Sequence, residues 1–350
     1  MRELAETARK WISEGRSAVL ARPVSEQGFG PRHPADALLI GADGTCVGTL
    51  YLGAFDAQLV GAAAALAPGH TARVCDVSLH GEAAEGAGMT CGGQAQVLLQ
   101  SLDTVPARWW DLLAEGSSAA LLTRLDAGRS EAASSVVTLA PDGREDEAEG
   151  GAGNGAEGGS EDGAEGGPGD GGPGNGGPSV QAAEQARQLL ARHRAGRETG
   201  PAPGEGLVLV ESCPAVPHLV IVGGGELAEL LRVQAGILGW QSDVVRRDED
   251  TQRLLTERPR SACLIVLSHE QDLDIPALRT ALTRGVPYVG ALGSRRTQAR
   301  RGADLLKSGL TEEQLSPIHG PIGLDIGART PAETALTICA EVLAALAART

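Results

Sequence analysis

The feature that most limits how this chain can fold is the stretch from 141 to 178, PDGREDEAEGGAGNGAEGGSEDGAEGGPGDGGPGNGGP. Glycine, acids, asparagine and proline fill it, and no large apolar side chain occurs in it. Such a segment buries too little surface to offset the entropy of an ordered backbone. It reads as a flexible, self-repelling linker, and its recurring G-A-E-G-G theme as low complexity, not a structural repeat. The sequence therefore predicts two domains, 1–140 and 179–350, joined by this linker.

Composition narrows the function. At 350 residues and 42% apolar, the chain can build two cores. Aromatics are only 2%, so those cores must be Ala, Leu, Val and Ile, and stacking platforms for single-stranded nucleic acid are not expected. A formal charge of -15 repels phosphate backbones, so no nucleic-acid partner is expected. The first residues, MRELAETARKWISEG, are amphipathic and lack the apolar centre of a signal peptide. No apolar run is long enough to span a bilayer. The six cysteines, Cys46, Cys75, Cys91, Cys213, Cys263 and Cys339, form no C-x-x-C pair, against a zinc ribbon or a disulfide framework. The expectation is a cytoplasmic protein with reduced thiols and no membrane span.

Up to residue 139, helical patterns (4–14, 54–66, 105–114) mix with strand patterns (17–21, 37–40, 45–50, 72–77, 94–99, 119–125, 135–139), which gives a mixed α+β domain. After the linker come a helix at 180–193 and a strand at 206–211. From 218 onward strands and helices alternate, as in a doubly wound α/β domain with a parallel sheet of Rossmann type.

That alternation carries the chemistry. The apolar run His218-Leu-Val-Ile-Val222 feeds into Gly223-Gly224-Gly225-Glu226-Leu227-Ala228, a G-x-G-x-x-A pattern. In such a loop Gly223 allows the tight turn, Gly225 lets a phosphate approach backbone N–H groups, and Ala228 brings the helix close to the sheet. The helix amino terminus adds a partial positive charge. Packing alone is the competing reason for the glycines. The second strand, 242–245, ends in Arg246-Arg247, where an NAD site has an acid. Arginine there suits a 2′-phosphate or another phosphorylated ligand, or else is a solvated charge. The third and fourth strands (262–267 and 288–291) lead to Ser268-His269 and Gly293-Ser294-Arg295, on the side where ligands bind such sheets. Ser294 equally suits a helix N-cap, and His269 a structural role. Thr330, Pro331 and Glu333 form a capping box opening a helix that buries Ala335, Leu336, Cys339, Val342 and Leu346. Asp325 and Arg329, in the glycine-rich turn before it, either pair with each other or meet a ligand.

The stretches LVIVGGGELAELL, VLSHEQDLDIPAL, YVGALGSRRTQARR and IHGPIGLDIGARTPAETAL, in this order, resemble the XdhC/CoxI family. These are xanthine dehydrogenase accessory, or molybdenum cofactor maturation, factors. The first domain resembles the family's amino-terminal domain through Gly30-Pro-Arg-His-Pro34, Asp43-Gly44 with Val47-Gly48, and Gly88-Met-Thr-Cys-Gly-Gly93. The resemblance implies a chaperone that binds the molybdenum cofactor, as molybdopterin or its dinucleotide form. It would protect the cofactor while its sulfur ligand is installed, with a cysteine desulfurase as a partner, and help insert it into a molybdenum hydroxylase client. Gly223, Gly225 and Ala228 match the family's nucleotide loop. Cys91, Gly92 and Gly93 match its cysteine-glycine-glycine motif, which makes Cys91 the metal-ligand candidate. Gly323, Asp325, Gly327, Arg329 and Thr330 match its carboxy-terminal signature. The cofactor-binding set is thus Gly223, Gly224, Gly225, Ala228, Arg246, His269, Ser294, Arg295, Asp325 and Arg329, with a homodimer that exchanges domains as one arrangement. The family's second cysteine is missing: Phe55, in Tyr51-Leu-Gly-Ala-Phe55-Asp56, stands about where it would be. Two other readings stay open. One is an NADP-dependent oxidoreductase, favoured by Arg246 but without a Tyr-x-x-x-Lys pair. The other is a non-catalytic scaffold that recruits a cysteine desulfurase and the hydroxylase.

Overall fold

The computed structural model describes residues 1–29, 36–66, 69–80, 84, 92–139, 180–202 and 206–348. The linker expected at 141–178, Cys91 and the Gly30–Pro34 motif lie outside these residues. The chain divides into two compact units, Met1–Pro214 and Ala215–Thr350.

The first unit runs α1 (Arg2–Ser13), β1 (Ala18–Gln27), β2 (Leu38–Gly41), β3 (Cys46–Gly48), α2 (Asp56–Ala64), β4 (Ala72–Leu79), β5 (Gly93–Ser101), α3 (Ala107–Glu115), β6 (Ala119–Leu125), β7 (Ala132–Val137), α4 (Val180–Ala191), β8 (Gly196–Pro201) and β9 (Leu207–Cys213). Two antiparallel sheets result, in the orders β3-β2-β1-β5-β4 and β7-β6-β9-β8. This is the mixed α+β unit the sequence predicts. Helix α1 buries Leu4, Ala5, Ala8 and Trp11 at helical spacing, and α3 buries Trp109, Trp110 and Leu113 in the same core.

One expectation is corrected here. Residues 180–213, placed by the sequence in the second domain, belong to the first. Strand β6 is buried at six of its seven positions and needs a neighbour at each edge. β7 takes one edge, and β9 takes the other in register from Ala119↔Cys213 to Leu125↔Leu207. Helix α4 then lays Ala182, Ala186, Leu189 and Leu190 against Ala120, Leu122, Val208 and Val210. The unit boundary therefore falls at Pro214/Ala215 and not at 179.

The second unit runs β10 (His218–Val222), α5 (Glu226–Ile237), β11 (Gln241–Val245), α6 (Asp248–Glu257), β12 (Ala262–Val266), α7 (Gln271–Arg284), β13 (Tyr288–Ala291), α8 (Arg295–Lys307), α9 (Glu312–Leu315), β14 (Ile318–His319) and α10 (Pro331–Ala347). Its five strands are all parallel, in the order β11-β10-β12-β13-β14. Alternate residues of β10 serve two cores. Leu219 and Ile221 face Ala228, Leu231, Ala335, Ile338 and Cys339 on α5 and α10. Val220 and Val222 face Leu255, Ala277 and Leu278 on α6 and α7. The fold is the doubly wound one expected. Cys263 and Cys339 are core residues, as expected. Leu336 is not: it is 52% exposed, because α10 turns Ile338 inward in its place.

Candidate cofactor-binding site

In a parallel sheet of this order the chain leaves β10 towards one neighbour and β12 towards the other, so the loops after them part and open a crevice. Gly223-Gly224-Gly225 sits there. The Gly223 N–H donates to Val245 O at 3.0 Å, and the Leu267 N–H to Val222 O at 2.9 Å, so both loops are tied to the strand ends. Gly223 has φ +116, and a Cβ on it would lie 3.0 Å from Ser268 N. The tight turn expected of Gly223 is real, and the β12 loop enforces it. Gly225 has φ +95, caps α5, and a Cβ on it would meet nothing within 4 Å. The conformation requires glycine, yet the space beside it is open. No side chain caps α5, so its first-turn N–H groups have no side-chain acceptor at the cap. Ala228 is fully buried against the sheet, as expected.

Arg246 lies beside this loop. A Cβ on Gly224 would come within 2.7 Å of its Nη2. The guanidinium thus rests on the glycine backbone, and Gly224 makes that approach possible. Arg246 itself is exposed. His269, Ser294 and Arg295, at the carboxyl ends of β12 and β13, are exposed too. Ser294 is the N-cap of α8: its Oγ accepts the Thr297 N–H at 3.3 Å. Asp325 and Arg329 are exposed and form no ion pair with each other among the described residues. Glu333 accepts the backbone N–H groups of Arg329 (2.6 Å) and Thr330 (3.0 Å), which holds its carboxyl below the usual range.

Beneath the site lies a buried cluster that sequence reasoning missed. Arg301 and Asp274 are 4% and 3% exposed. The Arg301 guanidinium donates to Asp274 Oδ2 from Nε at 3.1 Å and Nη2 at 2.6 Å, to Ser268 O at 2.9 Å and to Leu292 O at 2.5 Å. Ser268 Oγ donates to the same carboxylate. One side chain thereby clamps the ends of β12 and β13. The signal was there: Asp274 lies on the helical stripe of Ala277, Leu278 and Ala281, and Arg301 lies one turn before Leu305. A second cluster holds the carboxy-terminal loop. Glu341 accepts from Tyr288 Oη at 2.5 Å and from the Gly323 N–H at 2.8 Å, and His319 stacks on Tyr288 with ring centroids 4.7 Å apart. Burial and the neighbouring Glu341 raise the Tyr288 pKa, so this phenol stays a donor.

In the first unit, the Cys91 position lies outside the described residues, but its two glycines do not. A Cβ on Gly92 would fall 2.4 Å from Leu79 O, and one on Gly93 2.5 Å from Gln27 O. These glycines are required by neighbouring backbone, so packing explains them without any ligand. Phe55 is buried, edge-on to Tyr51 at 5.3 Å and to Phe29 at 6.3 Å. Aromatic packing occupies the place of the expected second cysteine. Among the described residues, no group of three or more His, Cys, Asp or Glu is arranged to hold a metal ion, and no helix is long and apolar enough to cross a membrane.

Comparison with known proteins fits this geometry. A model of the XdhC Rossmann domain matches residues 219–342, and a model of the XdhC and CoxI family matches residues 11–78. Together they span more than half of the chain. The chain is 26% identical over 191 residues to the uncharacterized protein YqeB of Escherichia coli K12, covering 47% of this chain and 35% of that protein. It is 35% identical over 79 residues to the molybdenum cofactor insertion chaperone PaoD of the same organism, covering 23% of this chain and 25% of PaoD. The chain thus spans between a quarter and about a third of these curated relatives. A crystal structure described as a xanthine dehydrogenase from Bacillus halodurans matches with a TM-score of 0.61 at 21% identity, over 100% of this chain and 96% of that one. At that identity the likeness is one of fold. From the glycine loop of its parallel sheet to the carboxy-terminal signature that Glu341 anchors, this chain belongs to the XdhC and CoxI family.

Proposed function

We propose that the protein is a molybdenum cofactor-binding maturation factor, which shields the cofactor during sulfuration and passes it to a molybdenum hydroxylase of the xanthine or CO dehydrogenase type. The observation that carries this reading is the open space beside Gly225, at the uncapped start of α5, with Arg246 resting on Gly224. Molybdopterin bears a phosphate, extended to a dinucleotide in some forms. The residues fit that group: first-turn N–H groups donate to its oxygens, and the guanidinium balances its charge. His269, Ser294, Arg295, Asp325 and Arg329 would flank it from the loops after β12, β13 and β14. Cys91, which belongs to the first unit, would be the candidate soft thiolate ligand for molybdenum. When bound, the cofactor carries the redox chemistry of its client, so this chain need only hold, shield and release it. A cysteine desulfurase and the hydroxylase would be its partners. The name of PaoD supports the reading.

The test is retention of molybdenum and pterin after purified protein is mixed with the cofactor and gel-filtered. Gly225→Asp places a carboxylate against the phosphate, and Arg246→Ala removes its counter-charge. Each is expected to weaken retention about tenfold, the scale of one charge-assisted hydrogen bond. Retention equal to that of the parent chain in both variants refutes the assignment. Arg246 also favours a second reading, an NADP-dependent oxidoreductase. Micromolar NADPH binding with turnover of a carbonyl substrate would select it.

A further inference from the structure

Helix α10 is apolar on two sides, and the core covers only one of them. Of its 17 residues, PAETALTICAEVLAALA, only Glu333 and Glu341 carry charge. Both are engaged: Glu333 with the Arg329 and Thr330 N–H groups, Glu341 with Tyr288 and the Gly323 N–H. One face packs Ala335, Ile338, Cys339, Val342 and Leu346 into the core. A second stripe, Ala332, Leu336, Ala340, Leu343 and Ala347, recurs at steps of four and three residues, so it too runs along one face. Four of these five are exposed, and Ala340 is half-buried. Leu343, like Leu336, leaves about half of its surface in water. A surface helix ordinarily turns charged and polar side chains outward on such a face. Helix α5 packs beside α10 and exposes Val233 and Ile237, one turn apart. These four large side chains present on the order of 400 Å² of apolar surface, the size at which a patch marks a contact site.

The order of side chains along the stripe decides what covers it. It runs small, large, small, large, small, and it reads the same from either end: Ala332 exchanges with Ala347, and Leu336 with Leu343, about a centre beside Ala340. A two-fold contact demands such a surface, because a residue that meets another must in turn be met by it. We propose that the protein dimerises through α10, packed antiparallel on α10 of a second copy, with Val233 and Ile237 of α5 at the border. In this arrangement Leu336 lies on the partner's Leu343, and Leu343 on the partner's Leu336. Alanine at the centre and at both ends lets the two backbones close in. A specific interface takes about 800 Å² from each partner; the apolar patch supplies about half of that as its centre, and an ordinary polar rim supplies the rest. A lipid surface or an unrelated apolar segment would bind such a patch without any need for its two-fold order. The contact does not depend on what the glycine loop holds.

The experiment is sedimentation velocity of the full chain over a wide dilution series. The expected result is a species with the mass of two chains, which dissociates on dilution. Leu336→Glu and Leu343→Lys each set a charge against a leucine, twice per dimer, and each is expected to raise the dissociation constant at least about a hundredfold. In the double variant every introduced carboxylate meets the introduced ammonium of the other copy, and at least about a tenfold gain in affinity over either single variant is expected. Within one helix the two positions are seven residues apart, so no pairing inside a single chain imitates this rescue. Both positions are exposed, and circular dichroism is expected to report an unchanged fold in all three variants. The mass of the parent chain needs no variant and stands if one of them does not fold. A parent chain that is monomeric at every concentration, a dimer that survives both single substitutions, or a double variant no more dimeric than the singles overturns the proposal.

Discussion

Asp274→Asn is expected to be one of the most damaging single-atom changes in the second unit. The native carboxylate accepts Arg301 Nε and Nη2 on one oxygen and Ser268 Oγ on the other, with both charged side chains at most 5% exposed. In the variant the guanidinium keeps its charge but meets only neutral acceptors: the amide oxygen, the carbonyls of Ser268 and Leu292, and Gln298 Oε1 at 3.5 Å. Removing one partner of a buried pair costs about 3–5 kcal/mol, because the other charge stays buried and uncompensated. For a unit of this size 1 kcal/mol moves Tm by about 3 °C, so a loss of about 10–15 °C is expected. Replacing both residues by leucine removes the orphaned charge along with the pair, and is expected to cost less than Asp274→Asn alone. Urea unfolding of the three proteins gives the energies. Amide exchange at Leu267 and Leu292, whose N–H groups bond to Val222 and Val266, locates the loss at the strand ends. A cost below about 1 kcal/mol for Asp274→Asn, or a double variant no more stable than Asp274→Asn, would refute this reasoning.

Three further outcomes follow from residues already described. Because Glu333 has a lowered pKa in the folded chain, its contribution is full above the ordinary glutamate value of about 4.3 and fades as pH falls below it; Glu333→Gln is expected to flatten that dependence in urea midpoints, and identical pH profiles refute it. Burial pushes the Cys213 thiol up to about 12 and Cys339 up to about 11, and Cys263 is fully buried. Iodoacetamide at mildly alkaline pH should leave all three unlabelled until urea is added, as peptide mass mapping will report; labelling at the rate of a free thiol contradicts this. Gly92→Ala drives a methyl group to 2.4 Å from Leu79 O and is expected to destabilise the first unit by about 1–3 kcal/mol, read by tryptophan fluorescence in urea; a neutral result returns this glycine to a ligand-facing role.

Most of the second unit was legible because its strands are short, apolar and bounded by glycine. His218–Val222 and Tyr288–Ala291 are where the pattern puts them, and the glycine loop is where its spacing says. The ends of the first-unit strands are less visible. Gly196–Pro201 carries no alternation of apolar residues, having only intermediate and exposed positions, and it forms by pairing with β9 alone. The domain boundary was misread for a related reason. Composition shows where a chain cannot pack, but it does not show which strand edge the chain returns to afterwards. Local signals sufficed for the backbone turn at Gly223 and Gly225, the burial of Ala228 and the Ser294 cap. For Asp274 and Arg301 they put each residue on a buried helical stripe but could not show the pairing, since the two are 27 residues apart and joined only in three dimensions.

The antiparallel return of β9 to β6 changes what a break in the covalent chain would do. A protease acting anywhere between β7 and α4 would leave a carboxy-terminal fragment that still carries α4, β8 and β9, and these remain stitched into the sheet built by the amino-terminal fragment. The two pieces should co-elute as a nicked complex, with the second unit still joined covalently to the retained β9.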